Sequence, residues 1–506
     1  MKNLGVVCLS SAVILTLGLS GCGYQNSFKS GSVQSLDAVI SPTANPLVAQ
    51  YKVTHTQPGM SAWVEFGTDT TYGRQTSVVS STATTAGDQS LSLLVAGMLP
   101  QTTYHMRAHV DWGRASFVDQ DHAFTTAALP NSPPIPQIVV NVPARVNPAA
   151  QVPAPGIELL SLSASRSVAT DHQGNIIWYC PLPTLLVRPM QSGHFMLLQP
   201  NDLLEVDVAC NTVRDVSLSQ VSQSLQASGH SYNLVNFSHD VLTLANGHWI
   251  TIVQISQDFT NLPGYPGTTS VLGDLIVEID PTGNVVWSWS AFDHLDITRY
   301  PYFGLPDWTH TNALVYTQDN DLLLSIRNQS WIIKIDYANG TGSGDVLWKL
   351  GPEGDFTLLG GDPTEWFYSQ HYPNVLSVNG SQTTLAVYDN GNYRIDPGTG
   401  FGCGTNGAPG CYTRATIFQV DESTRLVTLL WQDLPGYFSL WGGSIDLLDN
   451  GNIEFDSSDP FFNAASQVTE VTQTDPPQVV WQMSIDTNAY RGYRLPSLYP
   501  GVTWLK

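Results

Sequence analysis

Short apolar runs separated by polar turns recur along the chain from about residue 38 onward, and no stretch beyond the N-terminus sustains a helical period. That pattern predicts an all-β protein. Its clearest instance lies in Asp307 to Ser330, where the apolar runs Ala313 to Tyr316 and Leu322 to Ile326 flank a polar turn at Gln318 to Asp321. The three segments predict a β-hairpin whose two ends lie side by side, so that His310 and Arg327 face one mouth. An imidazole and a guanidinium together suit an anionic ligand, whereas the same two side chains in an ordinary β core would only satisfy backbone carbonyls.

A degenerate repeat organises the longer pattern. A turn residue, Gly-Asn-like residues, aliphatics and a Trp recur in DHQGNIIW ending at Trp178, DPTGNVVW at Trp287, GSGDVLW at Trp348, STRLVTLLW at Trp431 and TDPPQVVW at Trp481. A sixth copy without Trp, VDVACNTVRDV, ends at Val216. Six such units predict a six-bladed β-propeller of four-stranded antiparallel sheets, because closing the ring protects strand edges. Turn motifs recur at Asn246-Gly247, Asp389-Asn390-Gly391 and Asp449-Asn450-Gly451, and their composition predicts hairpin turns. In front of this region, strands around Trp63 to Gly67, Leu91 to Val95 and Tyr104 to Val110 predict a small β-sandwich over residues 38–126, with His105 and His109 on its solvent face. The run from Leu99 to Arg107 resembles the late strands of fibronectin type III domains. The Pro-rich segment 127–137 reads as a semi-rigid linker, which leaves 138–506 for the propeller.

Composition narrows the function. Of 506 residues only 12% are charged, and Gly (42) and Pro (32) are plentiful, as in turn-rich β proteins. A net charge of −22 without a basic run excludes nucleic acid as an expected partner. The start combines Lys2 with an apolar run from Leu4 to Leu19 and small residues, the layout of an export signal over 1–21. Leu19-Ser20-Gly21-Cys22 resembles a bacterial lipobox, so Cys22 is the expected lipidation site, 22–37 a tether, and the cell envelope or periplasm the expected location. Any membrane contact would then run through the lipid alone. Cys180, Cys210, Cys403 and Cys411 remain, an even number in an exported chain, which favours two disulfides. Cys403 and Cys411 bracket a short loop and form the local pair. Neither pair has zinc-ligand spacing, so no metal is expected there.

Three histidines fall in comparable register. His239, His310 and His371 each occupy a comparable inner position of their repeats, and Arg327 joins them. The motifs HD…NG (His239 to Gly247), DWTHTN…SIRNQS, WKLG, Gln370-His371, DNGNYR and YRLPSLYP together resemble the bacterial arylsulfate sulfotransferases over nearly the whole exported chain. The resemblance implies a small N-terminal β domain before a six-bladed propeller. It also implies transfer of a sulfuryl group from an aryl sulfate donor to a phenolic acceptor through a sulfohistidine, with no cofactor and no nucleotide donor. On that reading His371 matches the nucleophile, and His239, His310 and Arg327 match the supporting residues. Asn312, Arg394, Trp308 and Tyr368 are the candidate substrate-binding residues, and pairing into a homodimer stays open. Two alternatives remain: a metal-dependent propeller hydrolase or lyase that uses the three histidines as ligands, and a non-catalytic exported binding propeller.

Overall fold

The computed structural model describes residues 37–504 and the backbone of 32–33, apart from 57–58, 82–88, 114, 133, 143–151, 163–165, 361–364, 395–410 and 461–462. The expected signal, Cys22 and most of the tether lie outside the described residues, as does Cys403. Strands dominate, and they pair almost wholly antiparallel. Among the described residues no helix is long and apolar enough to cross a membrane.

Among the described residues, the strands from Ile157 onward fall into six consecutive sheets. The first strands of these sheets are β1 (Leu186–Pro189), β2 (Asn233–Thr243), β3 (Thr311–Tyr316), β4 (His371–Asn379), β5 (Trp441–Leu447) and β6 (Ala489–Leu495). Strand β2 lies against β3, β3 against β4, β4 against β5 and β5 against β6. The β1 sheet touches its neighbours on both sides, through Phe195–Leu198 toward β2 and through β1 toward Ile157–Leu162. The ring therefore closes. Strand hydrogen bonds fasten its seam, because the C-terminal strand β6 pairs with Ile157–Leu162 from the other end of the ring sequence.

Every copy of the sequence repeat occupies the same place. Ile176–Cys180, Thr212–Ser217, Val285–Ser290, Val346–Leu350, Leu426–Asp433 and Val479–Ile485 are each the fourth strand of a sheet. The preceding Asp closes the turn, since Asp171, Asp207 and Asp280 accept backbone N–H bonds from residues two and four further on, at 2.8–3.0 Å. The Gly or Asn that follows completes each of these Asx-turn hairpins. The Trp rings cross between sheets, since Trp178 Nε1 donates to Val208 O at 2.7 Å and Trp481 Nε1 to His172 O at 3.1 Å. A buried indole N–H needs a partner, and here the partner fixes the spacing of neighbouring sheets.

One disulfide ties two neighbouring sheets together. Cys180 in the sheet of β6 bonds to Cys210 in the sheet of β1, closing 30 residues. Cys411 is also disulfide-bonded, while its expected partner Cys403 lies outside the described residues. Replacing Cys180 and Cys210 together by Ser is expected to cost about 3.6 kcal/mol, from the chain entropy that a loop of this length restores to the unfolded state. Urea unfolding of the double variant beside the parent under oxidising conditions checks this, and a midpoint unchanged between the two would contradict it.

Residues 38–125 form two further sheets whose inward positions alternate with outward ones, as in Thr103–Trp112, where Tyr104, Met106, Ala108 and Val110 are buried. His105 and His109 fall on the other face of that strand; His109 stacks on Trp63 with ring centroids 3.9 Å apart. The C-terminal residues join these sheets to the ring: Tyr499 Oη donates to Leu94 O at 2.7 Å and Trp504 Nε1 to Gln75 O at 2.9 Å. Ile138–Asn141 pairs with Val479–Ile485 and extends the β5 sheet outward.

Candidate active site

The candidate residues gather where the inner strands begin, and a repeated irregularity puts them there. In the middle of β2, near the start of β3, β4 and β5, and in the pairing of β6 with its neighbour, the strand register shifts by an extra residue or more. The residues left without a ladder partner include His239, Asp240, Asn312, Tyr372, Gly442, Gly443 and Tyr490. A bulge bends its strand and re-aims its side chains, which here turn into one end of the ring. The backbone carries strain at the same points: φ is +53° at His239, +51° at His310 and +46° at Tyr372. Left-handed conformations cost non-glycine residues about 1–2 kcal/mol each, and folds retain them where the surroundings over-determine the geometry.

The hairpin forms as its sequence predicts. Strand β3 pairs antiparallel with Leu322–Ile326, and the backbone N–H of Arg327 donates to His310 O at 3.3 Å. Two amides after Arg327 then pin the segment before His310. Asn328 Nδ2 donates to Asp307 O at 2.7 Å, and Gln329 Nε2 donates to Trp308 O at 2.8 Å. His310 Nδ1 sits 2.5 Å from Asp307 Oδ2, so a carboxylate holds that nitrogen and leaves Nε2 to exchange protons. The rings of His310 and His239 lie 4.5 Å apart, and Tyr490 flanks His239 at 5.9 Å.

Arg327 is a buried cation at this end. Only 7% of it is exposed, and its guanidinium lies 4.0 Å over the Phe303 ring. Nη2 donates to Leu440 O at 3.0 Å, while Nε has no partner. Among the described residues no carboxylate comes within ion-pair distance of it. Burial pushes its pKa down to about 10, so it stays charged at neutral pH.

His371 opens β4 and is buried. Neighbouring amides hold that strand start: Gln370 Nε2 donates to Ser325 Oγ and Trp331 O, and Asn312 Nδ2 donates to Gln370 O at 2.7 Å. The Asn312 Oδ1 atom is buried without a partner. His371 Nδ1 lies 2.7 Å from Asn390 Oδ1, the Gly442 N–H approaches Nε2 at 3.3 Å, and the Tyr490 ring packs edge-on at 6.2 Å.

Burial pushes the pKa of both His371 and His239 well below the ordinary imidazole value. Arg327, His310 and Arg491 lower His371 further, and His310, His371, Arg491 and Arg327 lower His239 further. Both rings are therefore neutral at neutral pH, with a lone pair available. A base whose folded pKa lies below its unfolded value takes up protons first in the unfolded chain. The stability held by these two histidines is thus complete above about pH 6.5 and is lost as pH falls below it. Urea midpoints are expected to drop from about pH 6.5 downward, and replacing both residues by Gln is expected to flatten that part of the curve; an identical slope would contradict the assignment.

The other candidate residues divide. Arg394 is buried with Nη2 on Asp389 Oδ2 at 2.6 Å and Nη1 on Trp366 O at 2.7 Å; Arg414 Nε meets the same carboxylate oxygen at 2.7 Å. Trp308 is buried, donates Nε1 to Arg299 O and stacks on Phe292 at 5.7 Å, inside the core shared by the β2 and β3 sheets. Tyr368 packs against Tyr302 in the core between the β3 and β4 sheets. None of these three makes a hydrogen bond or ring contact with the histidines. Asp389-Asn390-Gly391 is not a hairpin turn, contrary to the expectation from its composition. The β4 hairpin turns at Asn379–Gln382, and Asp389 to Asn392 lie buried at the opposite end of the sheet, against His371 and the two arginines.

Sequence reasoning misses four contributors. Asn390 carries the composition of a turn. Tyr490 and Arg491 precede the YRLPSLYP motif, and Phe303 lies in an irregular loop. The available signal is Asp240: a carboxylate beside a channel histidine needs cations. Arg188 Nη1 and Arg491 Nη1 meet Asp240 Oδ1 at 3.1 and 3.2 Å, and Arg491 Nη2 also donates to Asn312 O at 2.6 Å. Among the described residues no three His, Cys, Asp or Glu side chains are placed to share a metal ion.

Comparison with known proteins supplies the family. The family model described as Arylsulfotransferase (ASST) matches residues 145–494, well over half of the chain. No curated protein matches the sequence. Solved structures it resembles include one described as a streptogramin B lyase, at 11% identity and a TM-score of 0.30 over 69% of this chain and 98% of that one. A putative 6-phosphogluconolactonase from Bacteroides fragilis shows 9% identity and a TM-score of 0.35 over 90% of this chain and 100% of that one. The N-terminal domain of Nup159 shows 10% identity and a TM-score of 0.29 over 69% and 95%. These structural likenesses carry no argument about chemistry, whereas the family match spans all six sheets and every histidine of the site. The chain belongs to the arylsulfotransferase family.

Proposed function

We propose that this family member moves a sulfuryl group from a phenolic sulfate ester to a phenol in two half-reactions, with His371 as the nucleophile and a sulfohistidine between them. The observation that carries the reading is Arg327, a buried guanidinium without a carboxylate partner among the described residues and with its Nε unpaired, beside three imidazoles. A buried charge left unpaired is costly, and an anionic ligand supplies the missing partner. A sulfate ester fits because it brings one negative charge on three oxygens that a planar donor fork can grip.

The chemistry follows from the protonation states. Neutral His371 attacks sulfur, the N–S bond forms as the S–O bond to the aryl group breaks, and the electron pair leaves on the phenolic oxygen. His310, oriented by Asp307, gives that oxygen its proton and recovers one from the incoming phenol. His239 packs against the His310 ring and adds a second proton-handling imidazole. Arg327 holds the nonbridging oxygens through both half-reactions. The six sheets are the blades of a six-bladed propeller on this reading, with the inner-strand bulges assembling the site at one end of its channel.

The test is brief mixing of the purified protein with an activated aryl sulfate in the absence of any phenol acceptor. One equivalent of phenol should appear in a burst, the intact mass should rise by one sulfuryl group, and fragmentation should place it on His371. Phenol release with no covalent protein species would overturn the two-step reading.

A further inference from the structure

We infer that Asn390 is a positioning residue that fixes the tautomer of His371, so that Nδ1 carries the proton and Nε2 is the atom that attacks sulfur. This rests on the proposed role of His371.

The hydrogen bonds around Asn390 leave one arrangement. Asn390 Nδ2 has two hydrogens, and both are used, toward Ser439 O and Gly442 O at 3.1 Å each. The side chain therefore turns Oδ1, an acceptor only, toward the ring 2.7 Å away, and His371 Nδ1 must donate. The second ring nitrogen reports the same state independently. Gly442 N–H points at Nε2 from 3.3 Å, which a protonated nitrogen would not permit. Asn390 is itself immobilised: it is fully buried, and its carbonyl oxygen accepts from Thr413 Oγ1 at 2.9 Å. When Nε2 forms the N–S bond, its lone pair leaves the Gly442 N–H for sulfur, while Nδ1 keeps its proton and continues to donate it to Asn390.

The choice of a neutral amide has a chemical consequence. The N-sulfonated ring with a protonated Nδ1 is cationic, and an uncharged acceptor does not stabilise that cation as a carboxylate would. The ring remains a good leaving group for the second transfer. Around it stand Arg327 from the β3 sheet, His310 before β3, His239 on β2 and Tyr490 and Arg491 on β6. The carboxylates beside these residues are already engaged: Asp240 by Arg188 and Arg491, Asp307 by His310, and Asp389 by Arg394 and Arg414.

Two variants separate the acceptor from the rest of the side chain, because both lose the bonds from Nδ2. Asn390→Leu removes the acceptor; kcat should fall by on the order of 100-fold with KM within about twofold, since Arg327 still binds the sulfate. Asn390→Asp keeps an acceptor and adds charge; it should retain the tautomer and move the acidic limb of the kcat/KM profile to higher pH, because a carboxylate beside Nδ1 favours the imidazolium. The unaltered protein labelled with 15N-histidine, with His371 assigned through the signal missing in His371→Gln, should show a protonated Nδ1 and an unprotonated Nε2. A protonated Nε2 there, or equal kcat and equal pH limbs in the two variants, overturns the inference. If Asn390→Leu fails to fold, the tautomer signal and the Asn390→Asp pH limb decide. Failure to find sulfonated His371 in the unaltered protein would instead count against the nucleophile assignment, and the tautomer measurement stands apart from it.

Discussion

His371→Asn is expected to lower aryl sulfate turnover by on the order of 10,000-fold or more and to abolish the covalent protein species. The substitution removes the ring nitrogen that would bond to sulfur while keeping a polar group near the Asn390 acceptor. Loss of the imidazole leaves the Gly442 N–H without its acceptor, and one unpaired buried donor costs about 1–3 kcal/mol. That is small against the interlocking strand pairs and cross-sheet amides that hold β4, so the variant should stay folded. Arg327 and the other two histidines remain, so an aryl sulfate should still bind. Measuring phenol release, intact mass and ligand-induced thermal shift together tests all three statements. A phenol burst of undiminished size in His371→Asn would remove it from the chemistry.

Much of this arrangement is legible in the chain. The turn-plus-Trp repeat marks the fourth strand of each sheet because the Asp acceptor, the turn glycine and the indole donor are local or nearest-neighbour requirements, and those leave a trace in sequence. The Asp307 to Ser330 hairpin is legible for the same reason: its turn and its two apolar runs are contiguous. Bulges are not legible, since a shifted register depends on what the adjacent strand offers. The Asp389 to Asn392 stretch shows how composition misleads. A sequence rich in Asp, Asn and Gly is usually solvated turn, yet here Asp389 and Asn390 find buried partners in Arg394, Arg414, Thr413 and His371. The pairing of Arg491 with Asp240 joins residues far apart in the chain and requires the ring to be closed first. Trp308 and Tyr368 go to the core because an aromatic next to a reactive residue has no sequence mark that separates stacking on substrate from packing between sheets.

The strained backbone and the buried cations belong to one account. Left-handed φ at His239 and His310, an unpaired Arg327 Nε and an unpaired Asn312 Oδ1 each weaken the fold, and all four fall at one end of the ring. The rest of the molecule offsets them with cross-sheet indoles, a closing strand pair and a disulfide between neighbouring sheets. Left-handed residues and unpaired buried polar atoms occur elsewhere among the described residues as well, but here they coincide with a buried cation and three imidazoles, which is what a preorganised anion site requires.

Arg327→Met sets that account against a purely structural role for the arginine. Met matches the length and polarisability of the aliphatic stem and can keep contact with Phe303, while the buried charge disappears. Among the described residues Arg327 has no ion pair to lose, and its best hydrogen bond is the one from Nη2 to Leu440 O at 3.0 Å. Replacing a poorly compensated buried cation by an apolar group should therefore leave the fold as stable as before or raise its stability by about 1–2 kcal/mol. Activity should move the other way. Without the guanidinium the nonbridging oxygens lose their charged donor in the ground and transition states alike, and kcat/KM should fall by on the order of 1,000-fold. His371 and His239 also lose a neighbouring cation, so their pKa values rise toward the ordinary imidazole range and the acidic limb of the residual activity should shift to higher pH. Urea unfolding at neutral pH and steady-state kinetics across pH on the same preparation give both halves of the result. A variant that loses stability and keeps its activity would make Arg327 a structural residue and take away the observation on which the sulfuryl-transfer reading rests.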